Sequence, residues 1–234
     1  MPNYAIMLDT ETANDLESPM MYDCGFAVID LENGEIIERH SYVIAEVYLD
    51  HELMSTAYFA DKIPQYEMDL KNGTRHLVRL STCKRILADV ARKYNAEYLV
   101  AHNARFDYRS TNGTQRYMTC SKYRYFLPYS CRIIDTLKMS RLKYAKDDDY
   151  GQFCYNNNYL TKRGQRRFTA EILYRYISKN NNFVEAHCGL EDCEIEAKIL
   201  MDCLKTMPIE AGLLWSKYGY EETCNKLNKL LTEG

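Results

Sequence analysis

The helix that opens at Leu190 sets the tightest limit on how this chain can fold. From Leu190 to about Thr206 the apolar residues Leu190, Cys193, Ala197, Leu200 and Leu204 recur at helical spacing, and Ile195, Ile199 and Cys203 widen that stripe. Glu191, Glu194, Lys198, Asp202 and Lys205 share the opposite arc, the solvent face. Two carboxylates break the pattern. Asp192 and Glu196, one turn apart, point inward with the apolar residues. A buried carboxylate is costly unless arginine, backbone donors or a cation compensate it. His187 comes five residues before Asp192, which on one continuous helix would put them on different faces. Gly189 allows a turn between them, so the imidazole can reach back over the carboxylate. A histidine there suits a general base beside a bound metal.

A second acidic pair lies near the start. Tyr4-Ala5-Ile6-Met7-Leu8 is an apolar run of the kind that forms a buried strand, and Asp9 and Glu11 share one side at its tip. Like charges so placed repel unless a divalent ion neutralises them, and oxygen-only ligation suits Mg²⁺ or Mn²⁺. The plainer alternative is a strand-end turn in which Asp and Thr cap the backbone. Tyr22 to Leu31 and Ile36 to Ala45 read as strands joined by a turn at Glu32-Asn33-Gly34, which makes an antiparallel meander. Residues 46–80 read only as loops with a short helix or hairpin. Ser81 is the expected N-cap of a helix to about Tyr94, with Ile86, Leu87, Val90 and Ala91 inward.

Tyr98 to Ala101 follows that helix and is expected parallel to the first strand. His102-Asn103-Ala104-Arg105-Phe106-Asp107 then enters a helix, with Asp107 in its first turn; serving the helix dipole is the alternative role there. His102 reads as a hydrogen-bonded structural histidine. Ile133 to Leu137 is another strand-to-helix passage, with Asp135 a possible N-cap. Asp147-Asp148-Asp149 and Asn156-Asn157-Asn158 read as solvated loop, Phe168 to Ile177 as an amphipathic helix, and the tail after Pro208 as one or two helices containing Trp215.

Charge is unevenly spread. The 234 residues carry a net −3, yet from Arg105 to Arg167 there are 14 Lys/Arg against 5 Asp/Glu, a local +9. One basic surface on an acidic body is the expectation. Tyr108, Tyr117, Tyr123, Tyr125 and Tyr129 alternate there with Arg109, Arg116, Lys122 and Arg124. Rings and cations together suit a single-stranded nucleic acid; a tyrosine-packed insertion with a basic rim is the alternative. No apolar run approaches the ~18–20 residues of a membrane span, and no basic-then-apolar leader opens the chain. The nine cysteines lack C-x-x-C spacing, so reduced thiols of an intracellular, cytoplasmic protein are expected and zinc is not indicated.

Taken in order, Asp9-x-Glu11, Asn103-x-x-Phe106-Asp107 and His187-x4-Asp192 resemble the DEDDh branch of the 3′–5′ exonuclease superfamily, alongside the proofreading epsilon subunit of bacterial DNA polymerase III, RNase T and oligoribonuclease. Leu8 to Thr12, Gly25 to Asp30 and Ala101 to Ala104 support the likeness. It implies an α/β, ribonuclease H-like mixed sheet (an antiparallel meander plus parallel strands) flanked by helices. It also implies one exonuclease domain over residues 1–234, with a core at about 4–206 and a helical tail at 207–234. The resemblance makes Asp9, Glu11, Asp107 and Asp192 ligands of two Mg²⁺ or Mn²⁺ ions that brace an in-line displacement. It makes His187 the base that activates water, and it places Thr12 and Asn103 near the 3′-terminal nucleotide. Glu191, on the solvent face, is left out of the ligand set. The chain departs from the family at Thr12-Ala13-Asn14, where Thr-Thr-Gly is frequent, and in a long basic segment at 108–130.

Single-stranded DNA 3′ ends are the expected substrate, cut to nucleoside 5′-monophosphates; RNA, as in RNase T or oligoribonuclease, is the alternative. Arg116, Lys122, Arg124, Lys162, Arg163, Arg166 and Arg167 are expected to contact phosphates, with Tyr117, Tyr123 or Tyr125 stacking on bases. A third reading is a docking or proofreading module of a separate polymerase, using Leu213, Leu214, Trp215, Leu227, Leu230 and Leu231. A homo-oligomer is neither indicated nor opposed.

Overall fold

Strict alternation along the first strand buries both of its faces. Ile6 and Leu8 enter one apolar cluster and Ala5 and Met7 another, so the strand is central and helices must cover it on both sides. The computed structural model describes residues 3–119 and 125–215. In chain order these form β1 (Tyr4–Ala13), β2 (Met20–Asp30), β3 (Ile36–Ile44), α1 (Ala45–Tyr48), α2 (His51–Met54), α3 (Ile63–Asn72), β4 (His76–Val78), α4 (Leu80–Lys93), β5 (Tyr98–Ala101), α5 (Ala104–Met118), β6 (Arg132–Asp135), α6 (Thr136–Tyr144), α7 (Asp148–Asn156), α8 (Ala170–Ser178) and α9 (Gly189–Leu204). The sheet order is β4-β3-β2-β1-β5-β6. β1, β2 and β3 pair antiparallel, while β5 and β6 run parallel to β1. This is the mixed sheet expected of a ribonuclease H-like fold.

Three local expectations need correction. Asp9 and Glu11 are not at a strand tip: β1 runs on to Ala13 because β2 continues to pair with it, Asp9 facing Gly25 and Glu11 facing Asp23. β5, however, pairs only with Ala5 to Met7, so both carboxylates still project beyond the C-terminal end of the parallel ladder. Helix α4 is capped from Arg79, not Ser81, and its first amide, Leu80 N, donates 2.9 Å to the Glu46 carboxylate instead. Asp147 to Asn156 is no loop; Asp147 is the N-cap of α7, accepting from Tyr150 N at 2.7 Å.

The segment that resists reading from sequence, 46–80, supplies a clamp. Buried Arg75 donates to Asp69 (3.0 Å), to Ser41 Oγ (2.7 Å) and to both Glu191 oxygens (2.8 Å), and lies 3.4 Å from buried Asp23. Asp23 also accepts from Tyr66 Oη (2.6 Å) and from Gly189 N (2.9 Å). These bonds tie the start of α9 to β2 and β3. Backbone meets backbone at the same place: a Cβ on Gly25 would overlap the Gly189 carbonyl carbon and Leu190 N. We expect Gly25→Ala to destabilise the protein by about 3 kcal/mol or more, since neither element can give way. Urea unfolding measures this, and a wild-type midpoint would show that α9 is not held at that crossing.

Among the described residues no helix is long and apolar enough to cross a membrane. The seven described cysteines are all free and buried.

Candidate active site

Helices from opposite faces of the sheet deliver carboxylates to one end of β1. From β1 come Asp9 and Glu11, from α5 Asp107, and from α9 Asp192 and Glu196; all line one cleft of about 1020 Å³. Glu11, Asp107, Asp192 and Glu196 are buried. Asp107 is held by Thr10 Oγ1, which donates to its Oδ1 at 2.9 Å and lies 2.9 Å from Ser110 Oγ. One oxygen of Asp192 accepts from Cys188 N at 3.0 Å, while the other has no partner. Glu196 accepts from His102 N at 3.2 Å.

Burial, reinforced by mutual repulsion, sets the electrostatics of this cluster. Burial first, then Glu196 and the other acids, lifts Asp9 well above the carboxylate range. Burial pushes Asp107 and Asp192 up to about 7 and, with Asp23 next, Glu11 up to about 9. Like charges crowd there, and no arginine or lysine pairs with these five acids among the described residues. The donor set, all oxygen, one atom unpartnered and the whole short of positive charge, fits hard divalent cations. Asp9, Glu11, Asp107 and Asp192 offer such ions carboxylate oxygens, and Glu196 lines the same cleft.

His187 arrives on the loop before α9 with φ of 54°, a left-handed conformation that a residue with a side chain adopts at some cost. Its ring stacks on Phe59 at 4.0 Å and 11° between planes, and its Nδ1 is 3.9 Å from Glu185 Oε2. Ligand atoms of Glu11, His187 and Asp192 all fall within 4.8 Å of one another. Burial, then the Lys62 charge, holds the imidazole below its usual pKa, so it is neutral and able to accept a proton at pH 7. His102 behaves as a structural histidine: Nδ1 meets Thr136 Oγ1 at 2.9 Å and Nε2 meets the Phe168 carbonyl at 2.7 Å.

Thr12 and Asn103 both line the cleft, Thr12 buried and Asn103 exposed in a left-handed turn. Asn103 N donates to Asp135 at 3.0 Å, which also caps α6 through Leu137 N. Of the basic residues, Arg166 and Arg167 line the cleft, whereas Lys162, Arg163 and Arg116 do not. Arg116 sits in the last turn of α5, about 13 Å along the helix from Asp107 at ~1.5 Å per residue. Arg166 is engaged in the fold, donating to the carbonyls of Tyr144 (2.8 Å) and Asp147 (2.6 Å). Lys122, Tyr123 and Arg124 lie outside the described residues. Tyr117 is exposed, and Tyr125 packs against Tyr108 and Tyr129.

Sequence reasoning gives no role to four notable residues of this cleft. Glu196 is visible as an inward carboxylate but has no motif to claim it. Phe59, Glu185 and Arg141 sit on segments whose register against the site only the tertiary fold supplies.

No family model matches the sequence, and no curated protein does either. Solved structures do. A full-length 3′-exonuclease superposes with a TM-score of 0.60 at 12% identity over 94% of either chain. The nuclease domain of 3′hExo, described as a DEDDh family member bound to rAMP, superposes with a TM-score of 0.60 at 12% identity, covering 87% of this chain and 92% of its own. The chain has the fold of the DEDDh 3′-exonucleases. Exonuclease I superposes less well, with a TM-score of 0.51 at 14% identity, covering 99% of this chain and 44% of its own. Identities this low speak for the fold, and the chemistry has to be argued from the cleft.

Proposed function

We propose that this protein is a divalent-cation-dependent 3′–5′ exonuclease that removes nucleoside 5′-monophosphates from single-stranded DNA. The observation that carries this is the convergence of Asp9, Glu11, Asp107 and Asp192 beyond the end of the parallel ladder, with neutral His187 at the cleft's edge. Two bound ions there would stabilise charge on the oxygens that enter and leave phosphorus. The chain's own residues do the rest. The carboxylates, ionised once cations are present, would hold those ions in place. Phe59 stacks on the His187 ring, and the imidazole accepts the proton of the attacking water. Asn103 and Thr12 line the space where a terminal nucleoside would lie.

RNA is the second reading, favoured by the rAMP in one similar nuclease and by a 3′-exonuclease described with a histone mRNA stem-loop (TM-score 0.55, 11% identity, 94% of either chain). Purified protein offered matched DNA and RNA oligonucleotides with Mg²⁺ or Mn²⁺ separates the two. We expect shortening of DNA at least as fast as RNA, full loss with EDTA and recovery on adding the ion. Activity unchanged by EDTA would sink the cation-dependent chemistry.

A further inference from the structure

Several described arginines have no hydrogen-bond or ion-pair acceptor for their side chains: Arg79, Arg85, Arg116, Arg141, Arg163 and Arg167. Only Arg141 and Arg167 line the cleft. Arg141 is exposed in the last turn of α6, and Arg167 is exposed at the end of a tight hairpin. That hairpin closes through Thr161 N to Gln165 O (2.7 Å), Gly164 N to Thr161 O (2.9 Å) and Arg167 N to Tyr159 O (3.0 Å), with Gly164 at φ 73°. Arg166 pins it to the carbonyls of Tyr144 and Asp147. Tyr150 Oη adds a bond of 2.6 Å to the Arg167 carbonyl. Gly151 leaves room for the Arg166 guanidinium, which a Cβ there would overlap. The Tyr144 carbonyl that Arg166 holds is one turn beyond Arg141 on α6, and the hairpin and α6 each bring a free guanidinium group to the lining of the cleft.

A cation in the last turn of a helix is commonly explained by the helix dipole. That covers Arg141 alone and leaves Arg167 unexplained. Two unpaired guanidinium groups lining the cleft that also holds the carboxylates suit an anionic group of a strand entering it. Each can grip phosphate oxygens bidentately. We propose that Arg141 and Arg167 form a phosphate subsite for the phosphodiester next upstream of the scissile one. The subsite makes a strand with a further phosphate a better substrate than a single nucleotide ester. This rests on the exonuclease reading above.

The test compares pentathymidylate, which carries upstream phosphates, with the 4-nitrophenyl ester of thymidine 5′-monophosphate, which has none. For R141A/R167A the loss in kcat/KM on pentathymidylate should exceed the loss on the ester by about 30-fold or more, as expected for two charge-assisted hydrogen-bonded pairs. R141K/R167K should recover part of that difference, because lysine keeps the charge without the fork. Fluorescence anisotropy with a labelled pentathymidylate and Ca²⁺ gives a readout free of turnover. There the salt dependence of binding should flatten by about 0.7 in slope for each phosphate no longer neutralised. Equal losses on both substrates, or an unchanged salt slope, would overturn the subsite. Should wild-type protein cleave neither substrate while R141A/R167A still weakens and flattens binding, the exonuclease reading fails and the phosphate subsite stands.

Discussion

His187→Ala lowers turnover on oligonucleotides by about 10²–10⁴-fold, the usual cost of losing a positioned general base, while calorimetry still detects divalent-ion binding. The grounds are geometric. His187 is a part-buried imidazole, neutral at pH 7 and stacked on Phe59. It forms one compact ligand group with Glu11 and Asp192, but Asp9, Asp107 and Glu196 line the same cleft and are left to hold ions without it. Asp192→Asn is expected to do the opposite. An amide oxygen can still accept from Cys188 N, so the fold holds, but the charge is gone. Ion binding and activity should then fall together, activity by about 10³-fold or more, as expected when several kcal/mol of transition-state stabilisation go. Ions lost with His187 would make it a ligand, a role its distance from Glu11 and Asp192 permits.

The second large effect is on stability. Asp107 and Asp192 titrate near 7 and Glu11 near 9 in the folded protein, burial being the leading cause in each case. In the unfolded chain the same groups titrate near ~4. Between those values the folded state therefore binds more protons than the unfolded one, so without metal its stability falls as pH rises from about 4 towards 9. A loss of ~3 kcal/mol would lower Tm by roughly 6–12 °C for a chain of this size. Thermal melts in EDTA at pH 5.5 and 8.5 should show that drop. Mg²⁺ or Mn²⁺ should remove it, with the greater gain at pH 8.5, and Asp107→Asn should raise the metal-free Tm at pH 8.5. A metal-free Tm that climbs with pH would show these carboxylates already compensated.

The carboxylate cluster is more legible in the sequence than its surroundings, for physical reasons. Carboxylates inside apolar patterns contradict local burial, so Asp9, Glu11, Asp192 and Glu196 announce themselves through period 2 or helical spacing. The sheet is readable because its strands are apolar runs with clear turns. Residues 46–80 are not, since Phe59, Tyr66 and Arg75 act through partners far along the chain: His187, Asp23 and Glu191. Helical spacing assigns Glu191 to solvent, yet it grips Arg75 at the rim of α9. Charge alone over-reads the basic residues. A run such as Lys162 to Arg167 shows charge but not direction, and the fold divides it into Arg166 as anchor and Arg167 in the cleft, with Lys162 and Arg163 outside. Arg141, isolated in sequence, carries no signal at all. The tail is half-legible: Leu214 N donates to Ile133 O at 2.9 Å, so its beginning packs on its own domain. Leu227, Leu230 and Leu231 lie outside the described residues.

The most direct measurement follows one oligonucleotide labelled at its 5′ end in parallel with the same strand labelled at its 3′ end, with Mg²⁺, for wild-type and Asp192→Asn protein. If the carboxylate cluster is a 3′–5′ exonuclease centre, the 5′ label runs down a ladder of progressively shorter strands. The 3′ label appears at once as a nucleoside 5′-monophosphate, and Asp192→Asn does neither. A 5′ label released first, internal cuts without a ladder, or equal activity in Asp192→Asn would contradict it.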